Sequence, residues 1–338
     1  MSDKVLLDYG SGGKASQRLI GELFLKHFDN PELRRMNDGA VLSVGGRVAV
    51  STDTFTVDPP FFPGGDIGAL AVHGTVNDVA MMGATPRYLT CGFIIEEGLP
   101  MVELGRIVES MGAAARAAGV DIVTGDTKVV PKGAVDKIFI NTTGIGDVIV
   151  DPAPAGDRAA PGDAILISGT LGDHGLAILS TRQGLAFETP LLSDCASLNH
   201  AIGALLRQLP DVHVLRDPTR GGLATTLNEI ASASGVICEI VEDDIPVRAE
   251  VKGGCSLLGL DPLYLANEGK FICIVPEADA EAALAIMRAD PLCGGARRIG
   301  SVLPTDKPGA PGRVLLRTGL GGKRLLGMLE GEQLPRIC

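Results

Sequence analysis

Val120-Asp121-Ile122-Val123-Thr124-Gly125-Asp126-Thr127-Lys128 carries a short apolar run directly into a polar stretch centred on an aspartate. The construction recurs where Val48-Ala49-Val50 runs into Ser51-Thr52-Asp53, and where Val214-Leu215 runs into Arg216-Asp217-Pro218-Thr219-Arg220-Gly221-Gly222. A short apolar run bounded by turn residues reads as a buried strand. An acid at its end stands where layered α/β domains build their sites. Outward from these runs the first half predicts strands at 47–51, 87–95, 120–123 and 137–143. A helix with an apolar stripe of Leu19, Ile20, Leu23, Phe24 and Phe28 precedes them. Another, capped by Asp66, runs to about 82, and one from Pro100 to about 118 is stopped by Gly119. Helices interleaved with strands predict an α/β (α+β) layer arrangement.

The second half alternates in the same way, with strands expected at 164–168, 212–215, 236–241, 270–275 and 313–316 and helices at 175–181, 194–209, 223–233 and 278–289. Between the halves lies 151–162, rich in Pro, Ala and Gly and without a period, which reads as a linker. The chain therefore divides into an N-terminal domain at 1–150, the linker, a C-terminal domain at 163–325 and a mobile tail at 326–338.

Composition narrows the function. With 45% hydrophobic residues over 338 positions the chain can bury substantial cores. Seven scattered cysteines, none spaced Cys-x-x-Cys, suggest neither a disulfide framework nor a zinc knuckle, and reduced thiols fit a cytoplasmic protein. The start lacks the apolar core of a secretory signal, and Gly, Asp or Arg interrupts every apolar stretch before membrane-spanning length. Neither export nor membrane insertion is expected. A net charge of −11 without a basic run argues against binding a nucleic acid backbone. Glycine, at 45 residues, clusters at turns where the backbone bends or approaches something closely.

The candidate chemistry is carboxylate. Asp53, Asp126 and Asp217 end apolar runs, Asp38 lies in Met36-Asn37-Asp38-Gly39-Ala40, and Asn77-Asp78 follow Asp66 on one helix. Magnesium takes oxygen ligands, keeps waters and bridges to phosphates through one or two carboxylates, so the set suits a metal-nucleotide site. Each acid singly also suits a turn or a cap. The loop Gly10-Ser11-Gly12-Gly13-Lys14 has neither P-loop nor dinucleotide-fingerprint spacing, yet could lay N–H groups and an ammonium over phosphates. Cys91, Cys238 and Cys273 fall inside expected strands and read as core residues. Cys338, last in Pro335-Arg336-Ile337-Cys338, is a thiol on an arm that could enter a pocket or meet a partner.

Asn37-Asp38-Gly39-Ala40-Val41, Phe61-Phe62-Pro63-Gly64-Gly65-Asp66, Val76-Asn77-Asp78-Val79, Thr124-Gly125-Asp126-Thr127-Lys128, Asp217-Pro218-Thr219-Arg220-Gly221-Gly222, Ala266-Asn267-Glu268-Gly269-Lys270 and the closing Pro-Arg-Ile-Cys together resemble the HypE family of hydrogenase maturation proteins. That family is part of the ATP-using superfamily of aminoimidazole ribotide and selenophosphate synthetases. The resemblance spans the chain and implies a two-domain PurM-like fold, its N-terminal strands completing a barrel with those of a second subunit. It implies ATP and Mg2+, a homodimer, HypF as carbamoyl donor and the HypC–HypD complex as cyanide acceptor. It further implies that an S-carbamoyl group on Cys338 is dehydrated to a thiocyanate.

Carried over residue by residue, the resemblance makes Asp38, Asp78 and Asp217 the metal ligands, and adds Gly12, Gly13, Lys14, Asp53, Asp66, Asn77, Asp126, Thr127 and Arg220 around the nucleotide. Lys128 and Glu268 are the candidate bases beside Cys338. An unreactive reading keeps Lys128 as a phosphate-neutralising ammonium and Glu268 as a buried partner of Lys270 or Arg220. His73 is a lesser candidate, and His174 reads as a helix cap. Two other functions stay open: a superfamily synthetase acting on a free small molecule, and a redox-responsive binding module using the terminal thiol.

Overall fold

The computed structural model describes residues 3–10, 14–37, 39–185, 191–307, 309–329 and 336–338. Lys14–Leu19 (α1) and Leu25–Phe28 (α2) join through a π turn at Ile20–Phe24, so the expected apolar stripe forms one packed segment. There follow Val48–Phe55 (β1), the short hairpin Phe61–Phe62 (β2) and Gly65–Asp66 (β3), Ile67–Met81 (α3), Ala84–Glu96 (β4), Met101–Ala118 (α4), Asp121–Val130 (β5) and Ile138–Val148 (β6). The long strands make a mixed sheet ordered β1-β6-β4-β5, with β4 and β5 parallel.

Asp66 starts α3 as expected, its Oδ1 accepting the N–H groups of Gly68 at 2.8 Å and Ala69 at 3.0 Å. Gly119 ends α4 in the left-handed conformation at φ 72°. Nearly all of α3 is buried, because the sheet, α4 and the C-terminal domain pack around it. Gly74 permits this approach, since a Cβ there would lie 2.9 Å from the Phe55 ring. The helix thereby lies directly against the strand that carries Asp53.

Three strands run further than their sequence suggests, β6 among them, which reaches Val148. β5 continues through Asp126 to Val130 because it pairs in parallel with β4 as far as Glu96↔Val130, and β1 continues through Asp53 to Phe55 against β6. Cross-strand hydrogen bonding overrides the turn propensity of Thr124-Gly125-Asp126. Asp53 and Asp126 thus sit inside edge strands, not beyond their ends, while Asp217 does follow the end of its run.

The C-terminal domain contains Asp163–Ile167 (β7), Asp173–Gln183 (α5), Asn199–Gln208 (α6), Val214–Arg216 (β8), Gly222–Ser234 (α7), Ile237–Val241 (β9), Ala249–Leu258 (α8), Ile272–Pro276 (β10), Ala280–Ala289 (α9), Arg297–Leu303 (β11), Arg313–Arg317 (β12) and Lys323–Leu326 (β13). Its sheet is ordered β13-β12-β9-β11-β7-β10-β8. Ile165 and Ile167 of β7 face a core shared with α7, while Ala164 and Leu166 face one shared with α6, α9 and the end of α3. That alternation makes a three-layer domain. The reading at 194–209 starts its helix too early: 194–198 is a loop, because Asp194 is taken up by residues 268 and 270. α8, β11 and β13 were not expected. Leu326, placed in the tail by the sequence, pairs with Val314 inside the sheet. No helix among the described residues is long and apolar enough to cross a membrane.

Candidate active site

Three chain segments converge on the side of α3 that faces the C-terminal domain. β1 brings Asp53; α3 brings Asn77 and Asp78; the turn between β8 and α7 brings Asp217 and Arg220. Ser51 donates its hydroxyl to Asp78 Oδ2 at 2.7 Å. Ser51, Asp78, Arg216, Asp217, Thr219 and Arg220 line a cavity of about 450 Å³ between the domains. The turn is possible because Gly221 and Gly222 adopt φ 79° and 61°, and a Cβ on Gly222 would lie 2.6 Å from the carbonyl oxygens of Leu263 and Leu265.

Asn267 fixes the next segment. Its Oδ1 accepts the Gly172 N–H at 2.8 Å, and its Nδ2 donates to Pro218 O at 2.9 Å and Leu265 O at 3.0 Å, so one buried amide joins three loops. Glu268, the next residue, is buried, and its Oε1 has no hydrogen-bond partner among the described residues. Its N–H donates to Asp194 Oδ1 at 3.1 Å. Lys270 does not pair with Glu268, as the unreactive reading had it, but with Asp194 Oδ2 at 3.2 Å.

The end of the chain enters this site. Thr56 donates its N–H at 3.0 Å and its hydroxyl at 3.2 Å to Cys338 O, and Asp58 donates its N–H to Arg336 O at 3.3 Å, so the tail lies along the continuation of β1. Arg336 Nε donates to Thr56 O at 2.8 Å and Nη1 to Asp136 at 2.6 Å, and Arg182 donates to the carbonyls of Asp58 and Arg336. Ile337 is 3% exposed, and Cys338 packs against the N-terminal core. The tail read as mobile is seated at its last three residues, in the cleft of its own subunit.

The electrostatics follow from burying so many acids together. Burial raises Asp53, opposed by the Thr54 N–H and Arg220. Burial raises Asp78, opposed by Ser51, with Asp53 adding to the shift. Burial and then Asp78 push Asp217 up to about 7. Burial, then Asp217, Asp194, Asp53 and Asp78, hold Glu268 well above the ordinary carboxylate range. Burial and then Glu268 push the Cys338 thiol up to about 12 against the pull of Arg220.

Other sequence candidates are engaged structurally or lie elsewhere. Asn77 is fully engaged between domains, Nδ2 donating to Ala196 O at 3.0 Å and Oδ1 accepting Leu198 N–H at 2.8 Å. Asp66 is occupied as the cap of α3. Asp126, Thr127 and Lys128 are on β5, with β6 and β4 between them and β1, a separation on the order of 14 Å. There Lys128 pairs with Asp126 at 3.1 Å, and all three border a second cavity of about 360 Å³ with Gly10, Phe24 and Phe93. One subunit therefore does not bring Lys128 to Cys338. Lys14 is exposed at the start of α1, while Gly12, Gly13 and Asp38 lie outside the described residues. His73 bonds Ser197 at 2.6 Å, and burial lowers it to about 4, a neutral structural histidine. Thr56, Arg182, His174 and Asp194 were missed as site residues. Only His174, in Gly172-Asp173-His174-Gly175, drew notice in the sequence, and it was read as a cap.

Among the described residues no group of three His, Cys, Asp or Glu side chains converges on one point as a metal site. Asp78 and Asp217 nevertheless repel each other across a cavity, a pair that a divalent cation with waters and phosphate oxygens would neutralise. The donors present fit Mg2+.

Two mixed-sheet domains with paired acids in the cleft between them define a protein of the AIR synthase related class. The N-terminal domain model of that class matches residues 36–148 and the C-terminal model residues 160–311. The chain is 55% identical to the carbamoyl dehydratase HypE of Cupriavidus necator, over all of this chain and 95% of that protein. A crystal structure of hydrogenase maturation protein HypE in complex with ATP is 66% identical and superposes with a TM-score of 0.96, covering 98% of this chain and 99% of that one. In a HypE–HypF complex the matching chain is 49% identical with a TM-score of 0.80, over 92% and 99%. The chain belongs to the HypE carbamoyl dehydratase family.

Proposed function

We propose that the chain converts an S-carbamoyl group on Cys338 into a thiocyanate, with ATP going to ADP and phosphate, and that this thiocyanate supplies the cyanide ligand of the nickel–iron hydrogenase centre. The observation that supports this most directly is Cys338 seated beside Glu268, in the field of Asp53 and Arg220, with the Asp78–Asp217 pair in the same cleft. The carboxamide oxygen attacks the γ-phosphorus while the nitrogen loses its first proton. The C–O bond then breaks as phosphate leaves, the nitrogen loses its second proton, and S–C≡N remains on the sulfur.

Phosphoryl transfer asks the protein chiefly for positioning and charge neutralisation. Thr219 and Arg220 line the cavity where phosphates would lie. Asp78 and Asp217, with Asp38, would hold Mg2+, which would supply charge neutralisation at the phosphates. Glu268 is the base closest to the tail. Burial and the neighbouring acids raise its proton affinity, which makes its carboxylate form a stronger base for the amide protons.

Lys128 and Asp126 enter through a homodimer in this reading. Both β1 and β5 are open edges of the N-terminal sheet, and its uncovered face exposes Val48, Val50 and Ile94. Closing the sheet against a second copy would cover that face and could set β5 of one subunit beside β1 of the other. HypF would be the carbamoyl donor and HypC–HypD the acceptor, in a cytoplasm that keeps Cys338 reduced. Mass spectrometry of the C-terminal peptide after incubation with HypF, carbamoyl phosphate and ATP tests the reading. A carbamoyl adduct that loses one water only with ATP supports it. A Cys338→Ala variant with undiminished product on a free substrate would refute it.

A further inference from the structure

We infer that His174 is the positioning residue that seats the tail and joins its seating to the loop that holds Glu268. Lying at the start of α5 with no exposed surface, His174 places Nε2 2.8 Å from Ile337 O and Nδ1 2.8 Å from Ser193 Oγ. A carbonyl oxygen only accepts, so Nε2 carries the proton and donates it to the tail. Nδ1 then accepts from the Ser193 hydroxyl, whose oxygen also accepts the Cys195 N–H at 3.1 Å. The ring stands edge-on to Phe62 at 5.6 Å, and burial lowers its proton affinity, so the neutral tautomer persists.

Beyond Ser193 the connection reaches the reacting groups. Asp194 accepts the Glu268 N–H and pairs with Lys270, while Gly175 N–H donates to Ala266 O at 3.0 Å and holds the start of α5 against the Glu268 segment. One imidazole therefore touches the residue before Cys338 on one side and the residue before Asp194 on the other. Seating the tail and placing Glu268 become one event. That purpose rests on Cys338 being the carrier, whereas the seating itself can be measured without ATP or a carbamoyl donor.

Iodoacetamide alkylation of Cys338 at pH 8 measures it. The seated thiol, pushed up to about 12, holds almost no thiolate, while a released tail returns to about 8.5, so alkylation passes through the released state. His174→Ala is expected to speed alkylation of the C-terminal peptide about tenfold, the loss of one buried hydrogen bond. His174→Gln, whose amide can donate to Ile337 O, should stay within about twofold of the wild type. Reaction at Cys91 and Cys273, buried away from the tail, should not change. Wild-type alkylation in His174→Ala, or equal acceleration by alanine and glutamine, overturns the assignment. Should His174→Ala fail to fold, Ser193→Ala carries the test: severalfold faster alkylation supports the latch and an unchanged rate refutes it. Wild-type protein that protects Cys338 from alkylation but forms no thiocyanate with HypF, carbamoyl phosphate and ATP would count against the proposed function and not against the latch.

Discussion

Asp217→Asn is expected to stabilise the metal-free protein at pH 8 and to lose its advantage when Mg2+ and ATP are added. The folded protein holds Asp217 at about 7, above its unfolded value near 3.9, because burial and Asp78 disfavour the charge. A raised carboxyl leaves stability intact below about pH 4 and removes it progressively as pH climbs through about 7. Across that window each pH unit is worth about 1.4 kcal/mol, so the full effect approaches about 4 kcal/mol. Asp217 opens onto the cavity, and solvent there screens roughly half, leaving on the order of 2 kcal/mol. Asparagine carries no charge and avoids the loss. Urea denaturation in chelator should therefore show no difference at pH 4 and about 2 kcal/mol in favour of the variant at pH 8. With Mg2+ and ATP at about 100 times the dissociation constant, the wild type should gain about 2.7 kcal/mol and the variant much less. A difference that does not change with pH would refute the electrostatic argument. Equal stabilisation of both proteins by Mg2+ and ATP would remove Asp217 from the metal site.

Glu268→Gln keeps size and removes the base: the carbamoyl adduct on Cys338 should still form, while its dehydration, followed by mass spectrometry, should slow by at least about 100-fold. An unchanged rate would place the base elsewhere. Asn267→Ala strands the Gly172 N–H and removes the side-chain donor from Pro218 O and Leu265 O, and urea denaturation should show a loss of about 2–4 kcal/mol. Gly269→Ala would put a Cβ 1.8 Å from Asp194 O, a backbone atom that cannot rotate away. A loss of about 3 kcal/mol or more is expected by the same measurement, and a variant as stable as the wild type would show that the loop yields.

Much of the layered fold was legible because its strands are short apolar runs and its helices carry caps. Val48-Ala49-Val50, Val214-Leu215, Asp66 and Gly119 each state their role locally, and local chemistry is what a sequence displays. β5 was cut short at Val123 because Thr124-Gly125-Asp126 looks like a turn. Its continuation depends on hydrogen bonds to β4, a strand distant in sequence. α6 was started too early for a related reason, since nothing local announces that Asp194 is bound to the Glu268 segment.

The site divides the same way. Sequence alone determined which residue types are present to do the chemistry: acids beside strands, a glutamate between Asn267 and Gly269, and a cysteine at the end of a motif. Tertiary structure alone decided which of them meet. It set Asp53, Asp78, Asp217, Glu268 and Cys338 in one cleft, left Lys128 on the far edge of the sheet with two strands between, and made Asn77 a domain tie and His174 a holder of the tail. Proton affinity depends on burial and on neighbouring charge, and both are properties of positions in space, so a carboxyl at about 7 and a thiol at about 12 exist only once the chain has folded.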